Sequence, residues 1–192
     1  MQTTYPRTRR WTRVEYDRLI DQGVFQPDER LELLAGHLVV REPQGGPHIL
    51  AIERLNEVLR VAFGPEWRVR IQLPIALDDE SEPEPDVSVA VGRPLETTEA
   101  KPSSLALVVE VAESSLALDR EHKGSLYARA RVPDYWIVNL VDRVLEVYRD
   151  PRPDASASYG WAYRSVQSLS AGEHVSPLAA PTARVSVADL LP

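Results

Sequence analysis

Apolar residues recur at helical spacing in two places within the first 65 residues. Val14, Leu19 and Ile20 predict a helix from Thr12 to Gln22. It opens with a Thr12–Glu15 capping-box pattern and stops at Gly23. Ile49, Ile52, Leu55, Val58, Leu59 and Ala62 predict a second, longer helix ending at Gly64-Pro65. Between them, Glu32 to Val40 reads as a hairpin turning at Gly36-His37, and Pro43 to Pro47 as a loop. Beyond residue 65 the period changes to two. Trp67, Val69 and Ile71 alternate with Arg68, Arg70 and Gln72 in a strand expected from Trp67 to Leu77, and Val87 to Val91 forms another.

Gly92 to Ser104 is a Pro-containing connection. Leu105 to Ala112 is almost unbroken in its apolarity, as expected of a central strand covered on both faces. A helix is predicted for Asp119 to Ala130. Tyr135 to Leu140 and Val144 to Tyr148 form a hairpin, Asp150 to Gly160 a polar loop, Trp161 to Val166 a short strand and Val185 to Leu191 a helical turn. No internal repeat interrupts this order. The pattern is that of one mixed α/β domain over residues 1–192, with residues 1–10 expected to be flexible.

Three polar residues break the pattern. Glu110 shares a face with Ala106, Val108 and Ala112 inside the most apolar strand, where a lone ionised carboxylate costs several kcal/mol or takes up a proton. An arginine, a metal ion or water at an open edge must compensate it. Asp86 closes a run of six acids in nine residues, Asp78 to Asp86, and Pro85 fixes its entry into the next strand. Asp78 to Glu84 are read as a solvated acidic loop. Lys123 shares a helix face with Asp119 and Tyr127 at spacings of four.

Composition sharpens the reading of that lysine. Of 22 basic residues 20 are Arg, and only Lys101 and Lys123 are Lys. A surface pair tolerates either type, whereas a site that needs a compact ammonium does not. Lys101, in a Pro-flanked connection, looks incidental.

The 29 acidic residues outnumber the basic ones, for a net charge of -7, which excludes a wholly basic nucleic-acid-coating surface but not a local groove. There is no cysteine, so thiol nucleophiles, cysteine zinc sites and disulfides are excluded. Met1 to Arg13 lacks the apolar segment of a signal peptide, and no run is long enough to cross a bilayer; a cytoplasmic location is expected. Two carboxylates from neighbouring strands suit a hard divalent ion such as Mg2+ or Mn2+, and a nearby lysine can orient or help deprotonate an attacking water. These are the parts of a phosphodiesterase that needs neither histidine nor cysteine.

The motifs Pro85-Asp86, Leu107-Val-Val-Glu-Val111, Asp119-x3-Lys123-x3-Tyr127 and Val132-Pro-Asp-Tyr-Trp-Ile-Val138 together resemble the Uma-two family of bacterial proteins. That family is grouped with the endonucleases of the PD-(D/E)XK, or restriction-endonuclease-like, superfamily. Thr12 to Tyr16, Leu31 to Val39 and Gln72-Leu-Pro74 extend the resemblance over nearly the whole chain. It implies an α/β fold, a mixed central sheet flanked by helices with an N-terminal helix and hairpin.

It also implies a site. Asp86 and Glu110 would be metal ligands for Mg2+ or Mn2+, with the Val111 carbonyl as a third, Lys123 the catalytic lysine, and Glu32 an accessory acid. Gln72 and Tyr127 would line the site and contact substrate, and His48 is a further candidate. Two departures stand out. The superfamily's lysine position, two after the acid, is Ala112 here, so the lysine would come from the next helix; and Glu113 adds an acid that could disturb metal affinity or repel phosphate.

The implied activity is a metal-dependent DNA endonuclease, with Arg68, Arg70, Arg120, Arg129 and Arg131 as a phosphate-binding surface. Two other classes stay open at this point. One is a noncatalytic nuclease-fold protein that pairs with itself or a partner through Tyr135, Trp136, Tyr148 and Trp161. The other is hydrolysis of RNA or a nucleotide.

Overall fold

The computed structural model of the chain describes residues 8–26, 28–92 and 101–192. The flexibility expected of residues 1–10 and the connection expected from Gly92 to Ser104 fall partly outside them. Helix α1, Arg13–Asp21, starts where the capping box places it: the Thr12 and Glu15 side chains each accept from the other's backbone N–H. Strands β1, Leu31–Leu34, and β2, His37–Val40, form the hairpin, but the turn is Ala35-Gly36. Both residues adopt positive φ (47° and 80°), as a tight two-residue hairpin turn requires. The expectation of Gly36-His37 was therefore displaced by one residue.

Helix α2, Gly46–Phe63, begins inside the segment expected as a loop and ends at Gly64. Pro47 lies in its first turn, where a missing N–H costs no helical bond. Strand β3, Trp67–Ile71, stops earlier than the alternation suggests because Gln72 turns to φ 49°. Strands β4, Val87–Val91, and β5, Leu105–Ala112, follow. A π-helical turn, Leu118–Lys123, runs into helix α3, Gly124–Arg129. Strands β6, Asp134–Asn139, β7, Val144–Pro153, and β8, Trp161–Leu169, complete the main sheet. The C-terminal segment contributes the two-residue strands β9, His174–Val175, and β10, Val185–Ser186, then a short 3-10 turn, Val187–Asp189, where a turn of helix was expected.

The six-stranded sheet has the order β3-β4-β5-β6-β7-β8, antiparallel throughout except for the parallel β5–β6 pair. That parallel pair needs a crossover, which carries the π-helical turn and α3 across one face. Tyr127, Val108, Ala112, Tyr135 and Ile137 pack on this side. On the other face α2 and the C-terminal segment cover Val87, Val89, Leu107, Val109, Trp136 and Val138. Strand β5 is buried along its whole length, as its apolar run implies.

The acidic run is not a simple solvated loop. Ser81 and Glu82 are buried, and Leu33 and Glu82 exchange backbone hydrogen bonds of 3.3 and 2.7 Å. Gly36 and Ala35 donate to the Glu80 carbonyl and the Ser81 hydroxyl. The loop is thus an extra strand-like partner of the hairpin, which explains why all four residues of β1 are buried. Lys101 is not incidental either: it pairs with Glu82 at 2.7 Å and with Asp17 of α1, tying that helix to the buried acid.

Candidate active site

The antiparallel register sets Val87 opposite Val109, so Asp86, one residue before β4, stands beside Glu110 on β5. The Asp86 N–H donates to Glu110 Oε2 at 3.3 Å, and the Val111 N–H donates to Asp86 Oδ2 at 2.8 Å. Successive backbone groups of a strand point to alternate sides, and Leu140 bonds the Ala112 carbonyl across the β6 side. The Val111 carbonyl therefore points the same way as its N–H, toward Asp86. Glu32 reaches the same point from β1, where its Oε2 accepts the Glu84 N–H at 3.1 Å.

Lys123 closes the group. Its Nζ lies 3.1 Å from Glu32 Oε1, 3.1 Å from Glu110 Oε1 and 3.9 Å from Asp119 Oδ1. The π-helical turn makes this possible, since its wider pitch brings the Gly124 N–H to the Asp119 carbonyl five residues back. That carbonyl also accepts the Tyr135 hydroxyl at 3.0 Å. A Cβ at Gly124 would lie 3.2 Å from the same carbonyl oxygen, a tight contact that glycine avoids. Tyr127, one turn on, donates to Glu110 Oε1 at 2.6 Å, and Ser115 donates to Asp119 Oδ2 at 2.6 Å.

These groups form the closed end of a cavity of about 240 Å3 lined by Glu32, Arg41, His48, Asp86, Glu110, Val111, Asp119 and Lys123 among others. The four carboxylates Glu32, Asp86, Glu110 and Asp119 are 1–3 % exposed, and Lys123 5 %. Two permanent cations, Lys123 and Arg41, face these four buried acids. Burial pushes the Glu110 carboxyl up to about 8; Lys123 opposes the rise, while Asp119, Asp86 and Glu32 add to it. Asp119 rises to about 6, again chiefly by burial. Burial alone would discharge Lys123, but the surrounding Glu110, Glu32 and Asp119 carboxylates outweigh it and hold the ammonium protonated far above neutrality. Asp86 goes the other way. Burial raises it, yet His48, the Val111 N–H and Lys123 together keep it below the ordinary carboxylate range.

Uma2, a family described as "putative restriction endonuclease", matches residues 13–188 of the chain. The chain belongs to the Uma2 family. A solved structure from Anabaena variabilis ATCC 29413, described as a putative nuclease belonging to DUF820, superposes with a TM-score of 0.69 at 15% identity. The superposition covers 94% of this chain and 97% of that one, and it shows a shared fold. No curated protein matches in sequence. The α/β architecture expected from the resemblance is therefore the fold of this Uma2 chain.

The structure brings Glu32, Asp86, Glu110, Lys123 and Tyr127 into direct contact. Gln72 joins through a 3.3 Å bond from Nε2 to Asp86 Oδ1, and His48 Nε2 lies 3.1 Å from Asp86 Oδ2. Gln72 and Tyr127 are not among the cavity-lining residues, so both meet the carboxylates and not the open space. Sequence reasoning missed Arg41 and Gln44, which approach Asp86 Oδ1 at 3.5 and 3.2 Å. Asp119, expected as a helix-surface partner of Lys123, is a buried part of the cluster.

The arginines expected to form a phosphate surface are otherwise engaged: Arg120 with Glu146, Arg129 with Asp78, Arg70 with the Pro74 carbonyl, and Arg131 over the Trp161 ring. None of those five lines the cavity. Tyr135 and Trp136 are wholly buried, on opposite faces of the sheet, and Tyr148 and Trp161 are half-buried against the cluster that holds Tyr135.

Proposed function

We propose that this Uma2 protein is a divalent-metal-dependent phosphodiesterase that cleaves DNA. The observation that carries the reading is the juxtaposition of Asp86 and Glu110 with a protonated Lys123 3.1 Å from Glu110, at the closed end of a cavity. The donor set fits a hard cation. Asp86, Glu110 and the Val111 carbonyl are all oxygen donors, the donor type a hard divalent ion takes. Among the described residues no three His, Cys, Asp or Glu side chains form a group that could hold a metal ion by themselves. A bound Mg2+ or Mn2+ would polarise the scissile phosphate and lower the pKa of an attacking water.

The remaining work falls to the chain's own residues. Lys123 lies 3.1 Å from Glu32 and Glu110, whose carboxylates raise its pKa, and this suits a donor that orients water and offsets phosphoryl charge. Glu32 holds that ammonium in place. Gln72 and Tyr127 orient the Asp86 and Glu110 carboxylates. No helix of the described residues is long and apolar enough to cross a membrane, and the cytoplasm is the proposed site of action. The test is cleavage of plasmid and single-stranded DNA with Mg2+ or Mn2+ by the wild type, Asp86→Ala and Lys123→Ala. Loss of cleavage in both variants supports the reading; equal cleavage by all three would trace the activity to a contaminant.

A further inference from the structure

We propose that Arg41 is the residue that grips the substrate's phosphate, a role that rests on the nuclease reading above. Among the described residues the cavity lining holds only three side chains able to carry positive charge, Arg41, His48 and Lys123. Lys123 is committed at the closed end, with its three short approaches going to three carboxylates. His48 directs Nε2 at Asp86. A polyanion entering this acid-rich space needs a cation that is not fully enclosed by buried carboxylates.

Arg41 meets that need. It follows directly on β2, its side chain is 9% exposed, and it is the only lining arginine. One guanidinium nitrogen donates to Glu84 at 2.9 Å, a carboxylate whose side chain is 30% exposed. The other stands 3.5 Å from Asp86 Oδ1, an oxygen to which Gln44 and Gln72 donate. Toward Asp86 the guanidinium is held by charge, and toward Glu84 by a hydrogen bond. A divalent ion held by Asp86 would weaken the first attraction and leave that nitrogen for an anion at the same site. A planar guanidinium matches two phosphate oxygens at once, which an ammonium cannot.

The test uses the full chain as wild type, Arg41→Ala and Arg41→Lys. Anisotropy of a short fluorescein-labelled single-stranded oligodeoxynucleotide in Ca2+ reads substrate affinity across a salt series, and calorimetry with Mn2+ alone reads the metal site. Arg41→Ala should weaken oligonucleotide binding about tenfold and flatten the salt slope by about 0.7, the value for one lost phosphate contact on a single strand. Arg41→Lys should keep the slope but recover only part of the affinity, and Mn2+ should bind both variants at least as tightly as the wild type. If Arg41→Ala does not fold by circular dichroism, Arg41→Lys decides: wild-type affinity in that variant overturns the fork. Unchanged affinity and slope in Arg41→Ala would overturn the proposal while leaving the nuclease reading intact. Joint loss of Mn2+ and oligonucleotide binding would make Arg41 a support of Asp86 and overturn it as well. A wild type that binds neither ligand would sink both readings.

Discussion

Replacing Lys123 by Met removes the one cation that three buried carboxylates share, while nearly preserving volume. Each acid keeps some support: Glu32 the Glu84 N–H, Glu110 the Tyr127 hydroxyl and the Asp86 N–H, and Asp119 the Ser115 hydroxyl. Those donors do not replace a unit charge, and breaking a buried ion pair from one side costs about 3–5 kcal/mol. That cost falls on whichever acids are ionised, so the pH sets it. At pH 5.5 Glu110 and Asp119, raised to about 8 and about 6, already hold their protons beside Lys123, and its removal strands fewer charges. At pH 8.5 both are ionised, and the full pair-breaking cost is felt.

The sign follows from linkage. Between about pH 4 and 8 the folded variant binds more protons than the unfolded chain, so its stability falls as pH rises. The wild type shares this slope through Glu110 and Asp119, but without the ammonium both acids hold their protons to higher pH in the variant. Thermal melting by circular dichroism in EDTA should therefore show Lys123→Met losing about 6–20 °C at pH 8.5, at 2–4 °C per kcal/mol for a chain of this size, and clearly less at pH 5.5. An equal loss at both pH values, or a loss below about 1 kcal/mol at pH 8.5, would refute the shared-cation account.

Three further outcomes are expected. Mn2+ at a hundred times its dissociation constant should raise the wild-type melting temperature by about 5–11 °C, since such binding contributes about 2.7 kcal/mol, and EDTA should reverse the shift. Glu110→Gln should cost only about 1 kcal/mol at pH 6, where the carboxyl already holds its proton, yet lower Mn2+ affinity at least tenfold by calorimetry. Wild-type metal affinity in that variant would remove Glu110 from the ligand set. Tyr127→Phe deletes the 2.6 Å bond to Glu110 and should cost about 1.5–3 kcal/mol in denaturant unfolding, with cleavage reduced and not abolished.

What could be read in the sequence was whatever a residue declares against its own neighbours. Glu110 interrupts an apolar strand, Pro85 pins Asp86 at a strand start, and Lys123 is one of two lysines in an arginine-rich chain. Each is an anomaly within a short window or within the composition, and all three meet at the cavity. Arg41, Gln44 and Ser115 declare nothing of the kind. Arg41 and Gln44 depend on the hairpin docking against the Asp78–Glu84 loop, through bonds between residues almost fifty positions apart, and Ser115 on the turn into the π-helical segment, where its carbonyl accepts the Asp119 N–H. Charge counting misjudged that loop for the same reason: its acids are conspicuous, while the Leu33–Glu82 backbone exchange that buries it has no side-chain signature. The π-helical turn was equally hidden, because a spacing of four between Asp119 and Lys123 looks the same for an ordinary helix.

The displaced lysine has a packing reason. Ala112 follows Glu110 by two residues on the same face of β5, wholly buried among Tyr127, Val108, Tyr135 and Ile137. A lysine there would have to thread its stem through that aromatic cluster. The small Ala112 instead leaves room for the Tyr127 side chain of α3, a helix that packs chiefly over β7 and β8, and Lys123 reaches Glu110 from the adjoining turn. Tyr127 and Lys123 donate to the same carboxylate oxygen, so one docked element delivers both donors. The ammonium thus depends on the crossover being seated. A change that loosens α3 from β7 and β8 should cost the site its lysine and its tyrosine together, even with every acid still in its strand.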